Sequence, residues 1–372
     1  MTSIIYVGMD VHTTNYTLCC YSMEDDRFFA EVQVEPDAKN ILKYLARIEK
    51  QQSRDCRIVC GYEAGCLGYS LYHQLHAHGI DCVILAPTTM MTKPGKRIKT
   101  DRRDARLISK CLAFHTYSPV YIPTEVDDAV KEYIRMRDDA NSALARVKQQ
   151  IIAFCIRHGK IHDGKSYWTN KHLEWLSSLD LGNKILSEVL QEYLIRYYQL
   201  REQVDMYDMR INELAQAEPY RQKVEKLGCF RGIAAHTALS FCVEVGDFRR
   251  FATARQFASY LGLVPGECSS GDKQQYTGIT KAGNSHLRKL LVETAQVFGR
   301  SATKSGKSVA LKERQAKCDS LTVAYADKAN ARLKKKYFKI AMRSKVNIAK
   351  TAVAREMACF IWGMMTDNIS CA

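Results

Sequence analysis

The chain has 372 residues, enough for two or three domains, and its 46% hydrophobic and 26% charged residues are typical of a globular protein. Lys and Arg number 55 against 40 Asp and Glu, and the formal net charge of +15 favours a polyanionic partner such as nucleic acid. No secretory signal and no apolar run of membrane-spanning length is visible, so we expect a cytoplasmic protein with reduced cysteines and no membrane partner.

The first 120 residues alternate between strand and helix patterns. Segments rich in aromatic and β-branched residues predict five strands, at 4–10, 16–21, 28–34, 57–62 and 81–86. Amphipathic spacing predicts helices over 36–50, from Ala64-Gly65 onward, and after Thr100. Three strands in a meander followed by alternating helices and strands predict an α/β sheet with an antiparallel part, in the ribonuclease-H-like order.

Four acids occupy corresponding places in this order. Asp10 ends the first strand and Glu63 ends the fourth, while Asp101 and Asp104 open a helix three positions apart, on one face. In a ribonuclease-H-like sheet these carboxylates converge, and a hard divalent cation such as Mg²⁺ or Mn²⁺ would relieve their repulsion. The alternative is an acidic first helical turn favoured by the helix dipole, with solvated side chains.

Basic residues surround the two helical acids. Lys99, Arg102 and Arg103 lie beside Asp101 and Asp104 and are candidates for binding a phosphate backbone.

Residues 125–217 are charge-rich and show helical spacing of apolar residues on both sides of a turn-rich link at 158–170. This pattern predicts a helical hairpin. Two interpretations stay open: a coiled-coil arm that dimerises, or a plain intramolecular helix pair.

The C-terminal part, from residue 218, is predicted to be mainly helical. A polar loop at 266–271 is followed by 280–289, which begins a helix and places Lys281, Arg288 and Lys289 on a basic edge near that loop. The densest positive run of the chain lies at 332–336, and its role is left open.

Several motifs together resemble the DEDD transposases of bacterial insertion sequences, in particular the IS110 group of bridge-RNA-guided recombinases. They occur in the family order and cover most of the chain. The matching stretches are Gly8-Met9-Asp10-Val11-His12, Tyr62-Glu63-Ala64, Lys99-Thr100-Asp101-Arg102-Arg103-Asp104-Ala105, Phe251-Ala252 with Ala254-Arg255-Gln256-Phe257, Gly262-Leu263-Val264-Pro265, Ser270-Gly271 and Thr280-Lys281-Ala282-Gly283-Asn284.

The resemblance implies three domains: a RuvC-like DEDD domain over 1–124, a helical coiled coil over 125–217 and a C-terminal transposase domain over 218–372. It implies that Asp10, Glu63, Asp101 and Asp104 bind the metal and that Ser270 is the nucleophile. The implied partners are donor and target DNA, a noncoding bridge RNA and further copies of the chain, as a dimer or a synaptic tetramer associated with the nucleoid.

The hypothesis is therefore a transposase that cuts and rejoins DNA through a phosphoserine intermediate, assisted by Mg²⁺. Two alternatives remain at this level: a metal-dependent RuvC-like endonuclease without serine chemistry, and a non-catalytic RNA-binding protein that has kept the fold.

Overall fold

The computed structural model describes residues 3–51, 56–91, 100–267, 276–300 and 306–369. The chain divides into two compact units, Met1–Ile122 and Pro123–Ala372. The expected mixture of an N-terminal α/β part and a helical C-terminal part is confirmed. Among the described helices, none combines the length and apolar character needed to cross a bilayer.

A five-stranded sheet forms the centre of the first unit, in the order β3-β2-β1-β4-β5. The pairs β1–β2 and β2–β3 are antiparallel, whereas β4 runs parallel to both β1 and β5. The central strand β1 therefore has the meander on one side and the parallel strands on the other. The strands are β1 (Ser3–Val11), β2 (Tyr16–Ser22), β3 (Arg27–Val34), β4 (Cys56–Glu63) and β5 (Asp81–Leu85).

Helices cover both faces of this sheet, and the two-residue period of β1 decides which side chain meets which helix. Ile5, Val7 and Met9 pack in the core formed with α1 (Ala38–Gln51) and α2 (Ser70–Ala77). Tyr6 points the other way, into the core formed with α3 (Asp101–Ala113). The even-numbered residues of β1 therefore face α3.

The predicted start of the second helix at Ala64-Gly65 is wrong, since α2 begins at Ser70. The amide of Ala64 donates a hydrogen bond to the carbonyl oxygen of Leu85, which keeps this residue bound to the sheet edge. Gly68 then takes a φ of +60°, a conformation that interrupts a right-handed helix.

Two helices of 33 residues each, α4 (Glu125–Arg157) and α6 (Lys184–Gln216), pack against each other within the chain, and the short α5 (Asn170–Ser177) lies between them in sequence. Arg137 of α4 donates two hydrogen bonds to the carboxylate of Asp208 of α6, at 2.7 and 2.9 Å. The intramolecular helix pair is thus present, and a dimeric coiled coil stays a prediction.

The remaining elements share one large apolar core, in which α8 and α13 contribute many of the buried residues. A short antiparallel hairpin, β6–β7, is the only sheet in the described part of this unit. The elements are α7 (Arg221–Gly228), α8 (Ala235–Val245), α9 (Ala254–Tyr260), β6 (Pro265–Glu267), β7 (Tyr276–Ile279), α10 (Ser285–Ala295), α11 (Val309–Gln315), α12 (Ser320–Ala341) and α13 (Val346–Met365).

Candidate active site

Helix α3 lies directly against the backbone of the two central parallel strands. A β-carbon added to Gly8 would be 2.0 Å from the carbonyl oxygen of Ala105 and 2.4 Å from the amide nitrogen of Ser109. A β-carbon added to Gly61, the partner of Gly8 on β4, would be 2.8 Å from Leu112. Two neighbouring glycines therefore allow α3 to approach the sheet more closely than any side chain would permit.

This close approach brings the start of α3 to the end of β1. Asp10 lies two residues after Gly8, so its side chain is on the α3 face of the strand. The ligand atoms of Asp10, His12 and Asp101 all lie within 4.8 Å of one another. The imidazole Nε2 of His12 is 3.3 Å from Oδ2 of Asp10. Three metal-ligating groups thus meet where β1 ends and α3 begins.

The first turn of α3 is held in place by its cap. The Thr100 side chain accepts a hydrogen bond from the amide of Arg103, as an N-cap residue does. Asp101 and Asp104 are both in this first turn and both half-buried. The cap determines where the helix begins and therefore where both carboxylates project.

The charge on Asp10 is disfavoured in this cluster. Burial raises the pKa of Asp10, and the negative charges of Asp104 and Asp101 raise it further, although His12 opposes the shift. Asp104 is therefore close enough to repel Asp10, even though it lies outside the three-residue cluster. A divalent cation would remove this repulsion, and carboxylate oxygens are the ligands that Mg²⁺ and Mn²⁺ prefer.

Glu63 is at the same end of the sheet but more exposed. Met9 pairs with Tyr62, so Glu63 occupies the next position on the strand beside Asp10. It is not part of the cluster of Asp10, His12 and Asp101. Sequence reasoning missed His12 as a candidate ligand, although its spacing of two residues from Asp10 could have indicated it.

Of the three basic residues predicted beside the acids, the structure describes two. Arg102 and Arg103 are exposed on the first turn of α3. Lys99 and Ser270 lie outside the described residues. Arg106, on the next turn, donates two hydrogen bonds of 2.7 Å to the Glu31 carboxylate of β3, so its guanidinium is engaged within the unit.

In the second unit, the three residues of the predicted basic edge differ in exposure and in hydrogen bonding. Lys281 and Lys289 are exposed, and Lys281 has a φ of +56°. Arg288 is half-buried and its Nη1 donates hydrogen bonds to the carbonyl oxygens of Leu261, at 2.9 Å, and Ala282, at 3.3 Å. These bonds hold the 280–284 segment against the end of α9, so Arg288 has a structural role.

A network of partly buried charged groups holds the next turn of the same segment. His286 contacts the carboxylate of Asp138 through Nε2, at 2.8 Å, and that of Glu244 through Nδ1. The Asn284 side chain also donates to Glu244, at 2.6 Å, while His236 Nε2 lies 3.0 Å from Asp138. Helices α4, α8 and α10 are therefore joined through one imidazole.

Comparison with known proteins identifies the family of this chain. The model of the DEDD transposase family of the IS110 type matches residues 7–156, and that of the IS116/IS110/IS902 transposase family matches residues 225–314. The transposase of insertion sequence IS1533 from Leptospira borgpetersenii is 32% identical over 90% of this chain and 95% of its own length. The chain belongs to the IS110 family of insertion-sequence transposases.

Other relatives of this transposase agree. The protein y4qE of Sinorhizobium fredii, named as a transposase, is 36% identical over 82% of this chain and 75% of its own length. The transposase of insertion sequence IS1111A from Coxiella burnetii is 26% identical over 68% of this chain and 71% of its own length. The chain is thus a DNA transposase, a class of enzyme that binds DNA, and its resemblance to this family is confirmed.

Proposed function

We propose that this transposase cuts and rejoins DNA through a covalent phosphoserine at Ser270, with Mg²⁺ held by Asp10, Glu63, Asp101 and Asp104. The observation that carries the metal part is the meeting of Asp10, His12 and Asp101 within 4.8 Å. Family membership supports the serine part, because the residues matched by the second family model include Ser270.

The donor set fits a hard divalent metal. Asp10 and Asp101 supply carboxylate oxygens from two elements, and Asp104 adds negative charge at the same place. When bound, Mg²⁺ or Mn²⁺ would neutralise charge on the phosphoryl oxygens of the DNA. Because Mg²⁺ favours oxygen ligands while Mn²⁺ also accepts imidazole, His12 acts either as a ligand or as the group that orients Asp10.

The serine step is a phosphoryl transfer in which the number of phosphodiester bonds is conserved. The Ser270 hydroxyl oxygen forms a bond to phosphorus while the bond from phosphorus to one nucleotide oxygen breaks. The serine proton leaves to a base, and the departing nucleotide oxygen takes up a proton. A hydroxyl end of another strand then attacks the phosphoserine, releases Ser270 and rejoins the DNA without ATP.

The proposal extends to the fold and to the partners. The sheet order β3-β2-β1-β4-β5, with α3 across it, supports a RuvC-like assignment of the first unit. The long α4–α6 pair supports a coiled-coil arm, and through it a dimer or a synaptic tetramer. The net charge of +15 supports binding of both DNA and a bridge RNA that selects target and donor sequences. The division into three domains, at 124 and 217, is part of the same proposal.

The serine assignment is tested by trapping. A nicked DNA substrate that blocks rejoining is incubated with protein and Mg²⁺, and the covalent adduct is resolved on a denaturing gel. Ser270→Ala should abolish the adduct, whereas Ser269→Ala, its neighbour, should retain it. An adduct in the Ser270→Ala variant contradicts the assignment. Metal-dependent cleavage by the native protein with no adduct at all favours an endonuclease without serine chemistry.

The acid assignment is tested separately. Asp104→Asn should remove metal-dependent cleavage while RNA binding survives, and Glu49→Gln, an exposed acid on α1, should change neither. RNA binding with no cleavage by the native protein under any divalent metal would instead favour a non-catalytic RNA-binding role.

A further inference from the structure

The positive run near the end of the sequence forms a basic helical hairpin, α12–α13. Between Arg332 and Glu356, nine of 25 residues are Lys or Arg and Glu356 is the only acid, a net +8 of the chain's +15. Positive charges at this density repel one another, and a bound polyanion relieves this repulsion. Such a cluster is therefore typical of a surface that binds phosphates.

The same hairpin forms one wall of a groove whose other wall is the β6–β7 hairpin. The groove has a volume of about 960 Å³. Its surface is mainly apolar, with Leu263 and Ile279 on one wall and Ile348 and Ala352 on the other. A mainly apolar groove of this size can accommodate sugars or bases as well as a phosphate chain.

The charges around the groove are predominantly positive. The groove is lined by three basic residues, Lys281, Lys336 and Arg355, and by a single acidic residue, Glu356. The lining therefore has a net charge of +2. Glu356 is already engaged, since Arg332 contacts one of its oxygens and Lys336 lies 2.5 Å from the other. Lys281 and Arg355 stand on opposite walls, and no carboxylate pairs with either among the residues that the structure describes.

We infer that this groove binds a DNA strand, with Lys281 and Arg355 contacting phosphates and the apolar walls contacting sugars or bases. The charge complementarity favours a nucleic acid. DNA is favoured over RNA because β6 and β7 are the strands that flank Ser270 in sequence. In this respect the inference rests on the proposed serine chemistry, which requires the scissile strand to pass next to that hairpin.

The inference is tested by protecting a thiol in the groove. Ile348→Cys places a thiol on the groove wall, and Leu321→Cys places one at the opposite end of the α12–α13 pair. The two native side chains are equally exposed, at 54% each, so the variants form a matched pair. The full-length proteins are labelled with a maleimide alone or with a 30-nucleotide DNA strand, its duplex, or an RNA strand of the same sequence. Mass spectrometry gives the labelling rate at each position.

DNA should slow labelling in the Ile348→Cys variant at least fivefold and in the Leu321→Cys variant less than twofold. Protection by RNA alone would overturn the inference in favour of a guide-RNA surface. Absence of protection by any nucleic acid that binds the protein would overturn it as well. Because labelling needs no cleavage, the same measurement in Ser270→Ala proteins separates failure of the groove from failure of the serine proposal.

A second measurement tests the two cations. Lys281→Gln combined with Arg355→Gln should lower the slope of log affinity for the DNA strand against log salt by about 1 to 2, because each lost phosphate contact removes roughly one released counterion. Lys312→Gln combined with Lys317→Gln, two exposed lysines on and just beyond α11, is the control and should leave the slope unchanged. An unchanged slope in the groove variant contradicts the phosphate contacts. Far-ultraviolet circular dichroism of each variant shows that the fold is retained.

Discussion

The carbonyl oxygen of Ala105 occupies the space that a β-carbon on Gly8 would need, since the two atoms would be 2.0 Å apart. Neither residue carries chemistry of its own. Their contact nevertheless sets how closely α3 approaches β1, and this approach places Asp101 beside Asp10. The candidate metal site thus depends on the absence of a side chain two residues before its first acid.

Gly8→Ala should therefore displace α3 from the sheet. We expect a loss of about 1–3 kcal/mol in the free energy of unfolding, the usual cost of overpacking, together with a loss of metal-dependent cleavage. Urea denaturation and the cleavage assay measure the two effects. Gly65→Ala is the control, because an added β-carbon there would meet only the Glu63 carbonyl oxygen, at 3.9 Å. Equal losses of stability and of cleavage in the two variants would contradict the claim that Gly8 sets the approach of α3 to β1.

Asp10→Asn should stabilise the metal-free protein and make it insensitive to metal. Burial and the charges of Asp104 and Asp101 raise the pKa of Asp10, so its ionised form is disfavoured in the folded state at neutral pH. We therefore expect the free energy of unfolding without metal to be higher for the Asp10→Asn variant than for the native protein. Thermal unfolding with and without Mg²⁺ or Mn²⁺ is the measurement.

The native protein should gain about 2.7 kcal/mol when the metal is at 100 times its dissociation constant, and the Asp10→Asn variant should lose this gain. Glu49→Gln should keep it. A full metal-dependent rise in the Asp10→Asn variant would show that the metal binds elsewhere.

His286 should make the stability of the second unit depend on pH. Burial lowers its pKa, but hydrogen bonds and charges from Asp138 and Glu244 outweigh burial and raise the pKa from 6.5 to about 9. A histidine whose pKa is raised by folding contributes its full stabilisation at pH values below its pKa in the unfolded chain. This contribution disappears as the pH rises through its pKa in the folded protein. Stability should therefore fall between pH 6.5 and about 9, by on the order of 1–2 kcal/mol because the ring is partly exposed.

Unfolding in urea at several pH values between 6 and 9.5 measures this dependence. His286→Gln should flatten the profile in that window, while His78→Gln, an exposed histidine of the first unit, should leave it unchanged. A slope that persists in the His286→Gln variant assigns the titration to another group.

Arg137→Lys should weaken the α4–α6 pair even though the charge is kept. The planar guanidinium donates two parallel hydrogen bonds to Asp208, and an ammonium group cannot reproduce this geometry. The Arg137 side chain is 18% exposed, so we expect a loss of about 1–2 kcal/mol in unfolding free energy. The exposed pair Arg210–Glu213 is the control, for which Arg210→Lys should cost no more than about 0.5 kcal/mol. Equal losses would indicate that the bidentate geometry adds nothing.

Local sequence patterns determined the order and type of most elements. Segments rich in β-branched and aromatic residues predicted the five strands of the first unit, because such side chains pack well on a pleated sheet. The ribonuclease-H-like order of the elements placed Asp10 and Glu63 near the ends of neighbouring strands, and the pairing of β1 with β4 agrees with this placement. The start of α2 was predicted six residues too early, since the sheet-edge hydrogen bond of Ala64 is not visible in a local pattern.

Contacts between residues distant in sequence required the tertiary structure. Arg288 was predicted among the nucleic-acid-binding residues, but its guanidinium also donates to two backbone carbonyl oxygens whose position depends on how α9 and α10 pack. Likewise, the sequence showed a dense positive run at 332–336 without a role for it, and only the packing of α13 beside the β6–β7 hairpin showed that this part of the chain borders a groove.

The sequence by itself determined the family, the order of the strands along the chain and the four candidate acids, because motifs and local residue composition are properties of neighbouring residues. Only the tertiary structure decided that His12 joins Asp10 and Asp101, that Glu63 stays outside this cluster, and that two glycines permit the approach of α3. The physical reason is that these outcomes depend on distances of a few ångströms between segments about a hundred residues apart, which only the packing of α3 on the sheet sets.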